Sequence, residues 1–201
     1  MKPLRSLFLA AIACVTAASV HATTVIAPTF EELVDRAQLI FEGTVSDVQS
    51  QWVGEGGQRH IVSYVTLEVA DGLKGEAGAT YTLRMLGGTV GDDTMEVSDS
   101  PKFKVGDRNI LFVENNGTQF IPLVGIMYGQ FQVQQDQQRG GDVVLTHEGR
   151  PLGDVEKLGK DEQGHRHVTD HSIVTDASNA PTLSAGDFKA AIRAKLSEQA
   201  R

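Results

Sequence analysis

The residues best suited to chemistry sit close together late in the chain. Gly164-His165-Arg166-His167-Val168-Thr169-Asp170-His171 brings three imidazoles within a few positions of one another. In an extended segment His165 and His167 project from the same side, roughly 6.6–7 Å apart. Two imidazoles at that spacing can share a divalent ion, with His171 or Asp170 as a third ligand, and Zn or Cu suits such a donor set. The competing reading is a polar loop rich in histidine by composition, where Arg166 sets a positive charge beside the ligands. No other cofactor is implied.

Catalytic signatures are missing. His147-Glu148 begins like a zincin motif but has no second histidine three residues on. There is no Gly-x-Ser-x-Gly, so the usual nucleophile elbow is absent. Neither a Walker loop nor a dinucleotide fingerprint is present, and nothing places a pair such as Asp92-Asp93 across a cleft as acid and base. The expectation is a protein that is not an enzyme. His60 and His147 stand alone and read as surface residues.

Two loops offer contact surfaces instead. The stretch 87–101, GGTVGDDTMEVSDSP, carries Asp92, Asp93, Glu96 and Asp99. Their oxygens could reach a calcium ion, but the spacing matches no standard calcium loop, and a solvated acidic loop explains them as well. The stretch 51–60, QWVGEGGQRH, reads as a Gly-rich hairpin connection holding Trp52 as a surface anchor or, on the preferred reading, a cap over the core. Gly54, Gly56 and Gly57 are turn residues, because no Lys-Ser/Thr follows and no helix begins there.

The chain opens with an export signal. Lys2 and Arg5 supply the positive start, 7–18 is apolar and too short to span a bilayer as a helix, and Val20-His21-Ala22 fits the cleavage pattern. Lipidation at Cys14 is the weaker alternative, since Ala11 fits poorly three places before it. Residues 1–22 are therefore read as a signal peptide, and the protein as periplasmic or secreted. Cys14 is the one cysteine, so a cleaved chain has no disulfide, thiolate metal site or cysteine nucleophile. It must hold itself by a hydrophobic core, for which its length is ample. Two of the 18 basic residues and none of the 26 acidic ones lie in 1–22, so the formal charge after cleavage is −10. With no basic cluster to offset it, nucleic-acid and anionic-membrane binding are not expected. No second long apolar run follows, so no membrane span is expected.

Periodicity then sets the elements that position these loops. Thr29-Phe30-Glu31-Glu32 has the form of a capping box and predicts a short helix from Phe30 to about Ala37. LIFEGTVSDV (39–48) alternates: Phe41, Gly43 and Val45 on one face, Glu42, Thr44 and Ser46 on the other. Gly43 in mid-strand predicts a bend or a close backbone approach. The stretch 61–86 reads as two alternating strands around a polar connection with Leu73 as a core plug and a turn at Lys74-Gly75. NILFV (109–113) is nearly continuous apolar sequence, as expected of a strand buried on both faces. Asn115-Asn116-Gly117 predicts a tight primed turn, returning into a partner strand over 120–124 that Pro122 makes an edge or a bulge. A further strand is expected over 128–133 and a short one over 142–146. Ser184 caps a closing amphipathic helix with Phe188, Ile192 and Leu196 on one stripe.

These elements predict a mainly β protein: a small OB-like antiparallel β-barrel with a short N-terminal helix and a C-terminal amphipathic helix. The expected division is a barrel domain over 23–135, a polar, loop-rich extension over 136–183 and the helix over 184–201. DRAQLIFEGTVSDV, YVTLEVADGLKG, TYTLRM and FKVGDRNILFV together resemble netrin-like and tissue-inhibitor-of-metalloproteinase-like OB-fold modules. They look closer still to exported bacterial proteins of uncharacterised function with the same strand order. The resemblance covers about 35–133 and implies an OB-like barrel. Inhibitors of that type chelate a protease zinc through an N-terminal cysteine, whereas here a cleaved chain would begin Thr23-Thr24, so the resemblance does not carry that activity over. Two functions follow as expectations. One is an exported binding module that offers loops to an envelope or extracellular protein, a peptide or a saccharide. The other is a metal-binding protein centred on His165, His167 and His171.

Overall fold

A computed structural model describes residues 26–137, 140–160 and 182–201. The stretch 1–22, read as an export signal, and the cluster of His165, His167 and His171 lie outside these residues. The described chain is mainly β with two α-helices. In order they are α1 (Phe30–Arg36), β1 (Leu39–Val53), β2 (His60–Lys74), β3 (Thr80–Leu86), β4 (Gly88–Val90), β5 (Asp93–Met95), β6 (Arg108–Val113), β7 (Gln130–Asp136), β8 (Gly141–Thr146) and α2 (Ala185–Gln199). Single 3-10 turns fall at Gly56–Gln58 and Val155–Lys157.

Six strands form one antiparallel sheet in the order β3-β2-β1-β6-β7-β8, while β4 and β5 make a separate hairpin. β3 and β8 end the sheet and do not pair with each other. β8, from the region read as an extension, thus continues the same sheet, and α2, from 184–201, packs on it.

β1 and β2 are 15 residues each and make the longest pairing. Their register shifts three times, at Ile40/Phe41, Glu42/Gly43 and Val45/Asp47, and such irregularities bend a strand and increase its twist. Gly43 sits at the second shift. A Cβ there would stand 2.9 Å from the Glu68 carbonyl oxygen and 3.0 Å from the Phe41 ring, so the close approach expected from its position in the strand is present.

The bend gives the sheet two cores. On one face Ile40, Ile110, Phe112, Phe131, Val133 and Val144 pack against Phe30, Leu33 and Val34 of α1 and Phe188 and Ile192 of α2. On the other, Leu39, Phe41, Val45, Val65, Leu67, Leu83, Met85, Leu111 and Val113 pack under Ile121 and Leu123. Ile110 to Val113 of β6 alternate between these cores, which is why these four residues are continuously apolar.

Both helices begin as expected. The Thr29 hydroxyl accepts from the Glu32 N–H at 3.3 Å while the Glu32 carboxylate accepts from the Thr29 N–H at 2.9 Å, a complete capping box. Ser184 accepts from the Asp187 N–H at 3.0 Å to start α2. Lys74 closes the other end of α1 by donating to the Val34 and Asp35 carbonyl oxygens at 2.7 and 3.2 Å. Leu73 packs, partly buried, against the helix-side core.

Residues 120–124 do not form the expected strand. They contribute one isolated bridge, Val113 with Leu123, and a bond from the Glu114 N–H to the Pro122 carbonyl oxygen at 3.1 Å. Pro122 has no N–H with which to build a ladder. The Asn-Asn-Gly turn also differs: positive φ falls on Asn115 (53°) and Gly117 (93°), with Asn116 between them. A two-residue primed turn would need it on adjacent central residues. The reason lies in what Asn116 is bonded to.

Candidate functional site

Asn116 docks its side chain on the outer edge of β3. Its Oδ1 accepts from the Arg84 N–H at 3.0 Å, and its Nδ2 donates to the Thr82 carbonyl oxygen at 2.8 Å and to the Tyr81 hydroxyl at 3.1 Å. An amide so placed satisfies the edge as a neighbouring strand would. The Leu86 N–H then donates to the Phe120 carbonyl oxygen at 2.8 Å. The backbone of 115–120 is therefore tied to β3 at both ends, with the Thr118 and Gln119 N–H groups turned onto the Asn115 carbonyl oxygen. On this fixed loop the Phe120 side chain faces solvent, 71% exposed. A rigid backbone holding out an aromatic ring is the arrangement of a binding anchor, because the ordering cost falls before the partner arrives.

Trp52 lies at the same end of the sheet. It is in β1 itself, opposite Ile61 of β2, and not in the hairpin connection expected for it. It is part of neither hydrophobic cluster and is half-buried. Its partly exposed ring carries the Arg59 guanidinium 4.5 Å from its centre, a cation–π contact that holds both side chains. The strand turned out longer than expected because Gln51 to Val53 pair with His60 to Val62, leaving 54–59 as the turn.

The acidic stretch 87–101 leaves β3 at this end too. Gly87 donates to the Ile61 carbonyl oxygen at 2.8 Å and accepts from the Ser63 hydroxyl at 2.6 Å, and Ser63 in turn meets the Ser50 hydroxyl at 2.8 Å. Gly88 lies so close over these serines that a Cβ would stand 2.4 Å from the Ser50 oxygen. From there β4 and β5 form a hairpin within the stretch expected to be a long acidic loop. Asp92 and Asp93 at its turn and Glu96 beyond it are exposed or nearly so, and Glu96 has a loose pair with Lys102 at 3.6 Å. They do not converge: among the described residues, no group of three or more His, Cys, Asp or Glu side chains could hold a metal ion. The structure thus brings Trp52, the acidic hairpin and Phe120 to one end of the sheet. Counting β1, β2, β3 and the loop beyond, Trp52 and Phe120 stand about 14 Å apart at ordinary strand spacing.

Other polar groups in the interior serve the fold. Glu42, read from its alternation as solvent-facing, is 5% exposed and receives Arg108 at 2.7 Å and Lys189 at 2.6 Å. Asp71 receives Lys189 at 3.1 Å and Arg193 at 2.8 Å, and Asp142 receives Arg108 at 2.8 Å. This network fastens α2 to the sheet. His147 is not on the surface either: its side chain is 18% exposed and packs edge-on against Tyr128 with centroids 5.1 Å apart. Burial, with Arg150 nearby, pushes its pKa down to about 4, against a smaller opposing effect of Asp99. Nearby, the Gln130 amide donates to the buried Asn109 at 3.1 Å. A cleft of about 390 Å³ between the helices is lined by Phe30, Ala191, Ala194, Lys195 and Glu198 among others. Its charges already answer one another, Lys195 with Glu31 at 2.8 Å and Lys160 with Glu156 at 3.9 Å. No helix of the described residues is long and apolar enough to cross a membrane.

Phe120 was missed in the sequence because it was assigned to a strand; Pro122 two residues later was the signal against that strand. Comparison with family models, curated proteins and solved structures found no match.

Proposed function

We propose that this chain is an exported, non-enzymatic binding module whose contact surface is the sheet end carrying Phe120, Trp52 with Arg59, and the β4–β5 hairpin. The observation that carries this reading is Phe120, exposed on a loop whose backbone is bonded to β3 through Asn116 and its own carbonyl oxygen. An exposed ring that only filled space would not need such fixing. Aromatic anchors flanked by charge suit an envelope or extracellular protein, a peptide or a saccharide, since each presents apolar faces edged with hydrogen-bonding groups. Export with cleavage near Ala22, into the periplasm or beyond the cell, belongs to the same proposal and is supported by the sequence of 1–22.

The OB-like barrel is the fold we infer for this module. The bent β1 and the apolar cluster shared by β1, β2, β3 and β6 under 121–123 support it. In such barrels the loops at the rim make the contacts.

The experiment is recovery of partners from envelope extract with wild type and Phe120→Ala, the variant first checked for an unchanged melting temperature. The expected result is a partner retained by wild type and lost, or reduced at least about tenfold, by the variant. Equal recovery by the two would overturn the assignment of the contact surface.

A further inference from the structure

We propose that a second copy of this chain pairs with β1 along its outer edge, antiparallel about a two-fold axis at Ser50. β6 pairs with β1 only as far as Thr44, and the Val45 backbone is taken by Gly106 and Asp107. From Asp47 to Val53 the side of β1 away from β2 has no backbone partner among the described residues. This is the longest such edge they contain. The outer edge of β8 is covered by Leu183 and by 150–152, and that of β3 by Asn116 and Phe120.

The ladder fixes which groups face outward. The N–H groups of Arg84 and Leu86 point away from β2, so Tyr64 and Val62 opposite them turn their backbone groups toward Gln49 and Gln51 of β1. By the alternation of antiparallel pairs, the backbone groups of Val48, Ser50 and Trp52 point off the sheet.

These three residues are symmetric about Ser50, and that symmetry selects the occupant. Paired about a two-fold axis there, Val48 meets Trp52 of the second copy on one face and Gln49 meets its Gln51 on the other. Cross-strand pairs of a β-branched and an aromatic residue are favourable. Asp47, the single charge in this stretch, meets Val53, so no like charges oppose each other although each chain carries a formal −8. Moving the register by two places sets Val48 or Trp52 against Ser50 and shortens the ladder. Val48 is 36% exposed, an apolar side chain that such a pairing would cover. Phe120, beyond β2 and β3, stays free, whereas Trp52 belongs both to this edge and to the proposed contact surface; Val48→Lys leaves Phe120 in place and Phe120→Ala leaves this edge intact, so the two proposals fail separately. A seven-residue edge gives an interface at the small end of the specific range, with a Kd on the order of tens of micromolar.

The test is sedimentation equilibrium of the protein as recovered from cells, from about 1 to about 500 µM, a range that brackets such a Kd. Wild type should pass from monomer to dimer, and Val48→Lys, which places a charge on the edge, should raise the Kd at least about tenfold with an unchanged melting temperature. Register is tested by oxidative cross-linking in a Cys14→Ser background. Mixing Gln49→Cys with Gln51→Cys chains puts two exposed thiols in directly opposed positions of a non-hydrogen-bonded pair, with Cα atoms about 4.5 Å apart, within disulfide reach and clear of the Ser50–Ser63 contact under Gly88. Val48→Cys alone leaves its two thiols about 14 Å apart along the strands. Efficient cross-linking of the mixture and about a tenth as much of Val48→Cys is expected. Wild type remaining monomeric throughout, an unaltered Kd for Val48→Lys, or equal cross-linking of the mixture and of Val48→Cys would each overturn the proposal.

Discussion

The Glu42 carboxylate and the Lys189 ammonium meet at 2.6 Å across 147 residues of chain, and both are largely buried, at 6% and 19% side-chain exposure. Arg108 takes the other Glu42 oxygen at 2.7 Å. The hydrogen bond to Glu42 is the main reason that the Lys189 pKa is raised. Each cation also has an aspartate, Asp71 or Asp142, so removing Glu42 strips one partner from both without leaving either wholly alone.

Glu42→Ala should therefore destabilise by less than a fully orphaned buried charge would, by about 2–3 kcal/mol. Lys189→Met, which leaves Glu42 its Arg108 and keeps the buried stem, should cost about 1 kcal/mol. Urea unfolding of both measures this. Equal losses would show that Glu42 is held by Lys189 alone.

Asn116→Ala should free the edge of β3 at Arg84. The groups released are close to solvent, so the cost should be about 1–2 kcal/mol. Hydrogen exchange at the Arg84 amide should accelerate, with little change at the ladder between β1 and β6. Asn116→Asp should be no better than Ala: it keeps the acceptor for Arg84 but turns a carboxylate oxygen toward the Thr82 carbonyl. An Asp variant as stable as wild type would show that only the Arg84 bond matters.

What the sequence made legible was local or periodic. The capping box of Thr29 and Glu32, the Ser184 cap and the double-sided burial of Ile110 to Val113 are each written within a few residues. Gly43 announced a close approach because a strand interior tolerates glycine poorly. What stayed hidden depends on distant partners. Glu42 alternates like a solvent-facing residue, and only Arg108 and Lys189 make its burial tolerable. Phe120 is outside because Asn116 replaces a strand with a side chain, which periodicity cannot register. His147 lacks any motif, and its burial comes from Tyr128, 19 positions earlier in the chain. The proposed site was half visible: its loops stood out by composition, while their common location required the register of β1, β2 and β3.

Acid should destabilise the protein in two stages. His147 has a folded pKa of about 4 against an ordinary 6.5, so the unfolded chain binds more protons between those values. Stability should fall as pH drops from about 6.5 to about 4. Full linkage for that difference is about 3 kcal/mol, and solvent access to the ring reduces it to roughly 1–2 kcal/mol. Asp142 is held below its usual range chiefly by the hydrogen bond from Arg108. At Asp71 burial pulls the other way, but hydrogen bonds from Arg193 and Lys189 prevail. Their contribution is present above the ordinary carboxylate pKa of 3.8 and disappears as pH falls below it. Denaturant midpoints across pH 3–7 would resolve the stages, and His147→Gln should flatten the upper one alone. A midpoint independent of pH between about 6.5 and 4 in wild type would exclude a buried neutral His147.

Two glycines in paired strands should respond oppositely to the same added methyl. At Gly43 the Cβ of alanine would meet the Glu68 carbonyl at 2.9 Å, the Phe41 ring at 3.0 Å and the Leu67 Cβ at 3.3 Å. The first of these is backbone and the others are core, so none yields cheaply. Gly43 does not have positive φ, and the cost is therefore steric and not conformational. Gly43→Ala should destabilise by about 1–3 kcal/mol, the usual range for overpacking. At Gly72, opposite Phe41 in the neighbouring strand, an added Cβ meets nothing within 4 Å and φ is again not positive. Gly72→Ala should be neutral or stabilising by up to about 1 kcal/mol, because it restricts the unfolded chain. Thermal or urea unfolding of the two single variants gives the comparison directly. If Gly43→Ala were as well tolerated as Gly72→Ala, β1 and β2 would not approach as closely at Glu68, and the bend that shapes the inner core would need another cause.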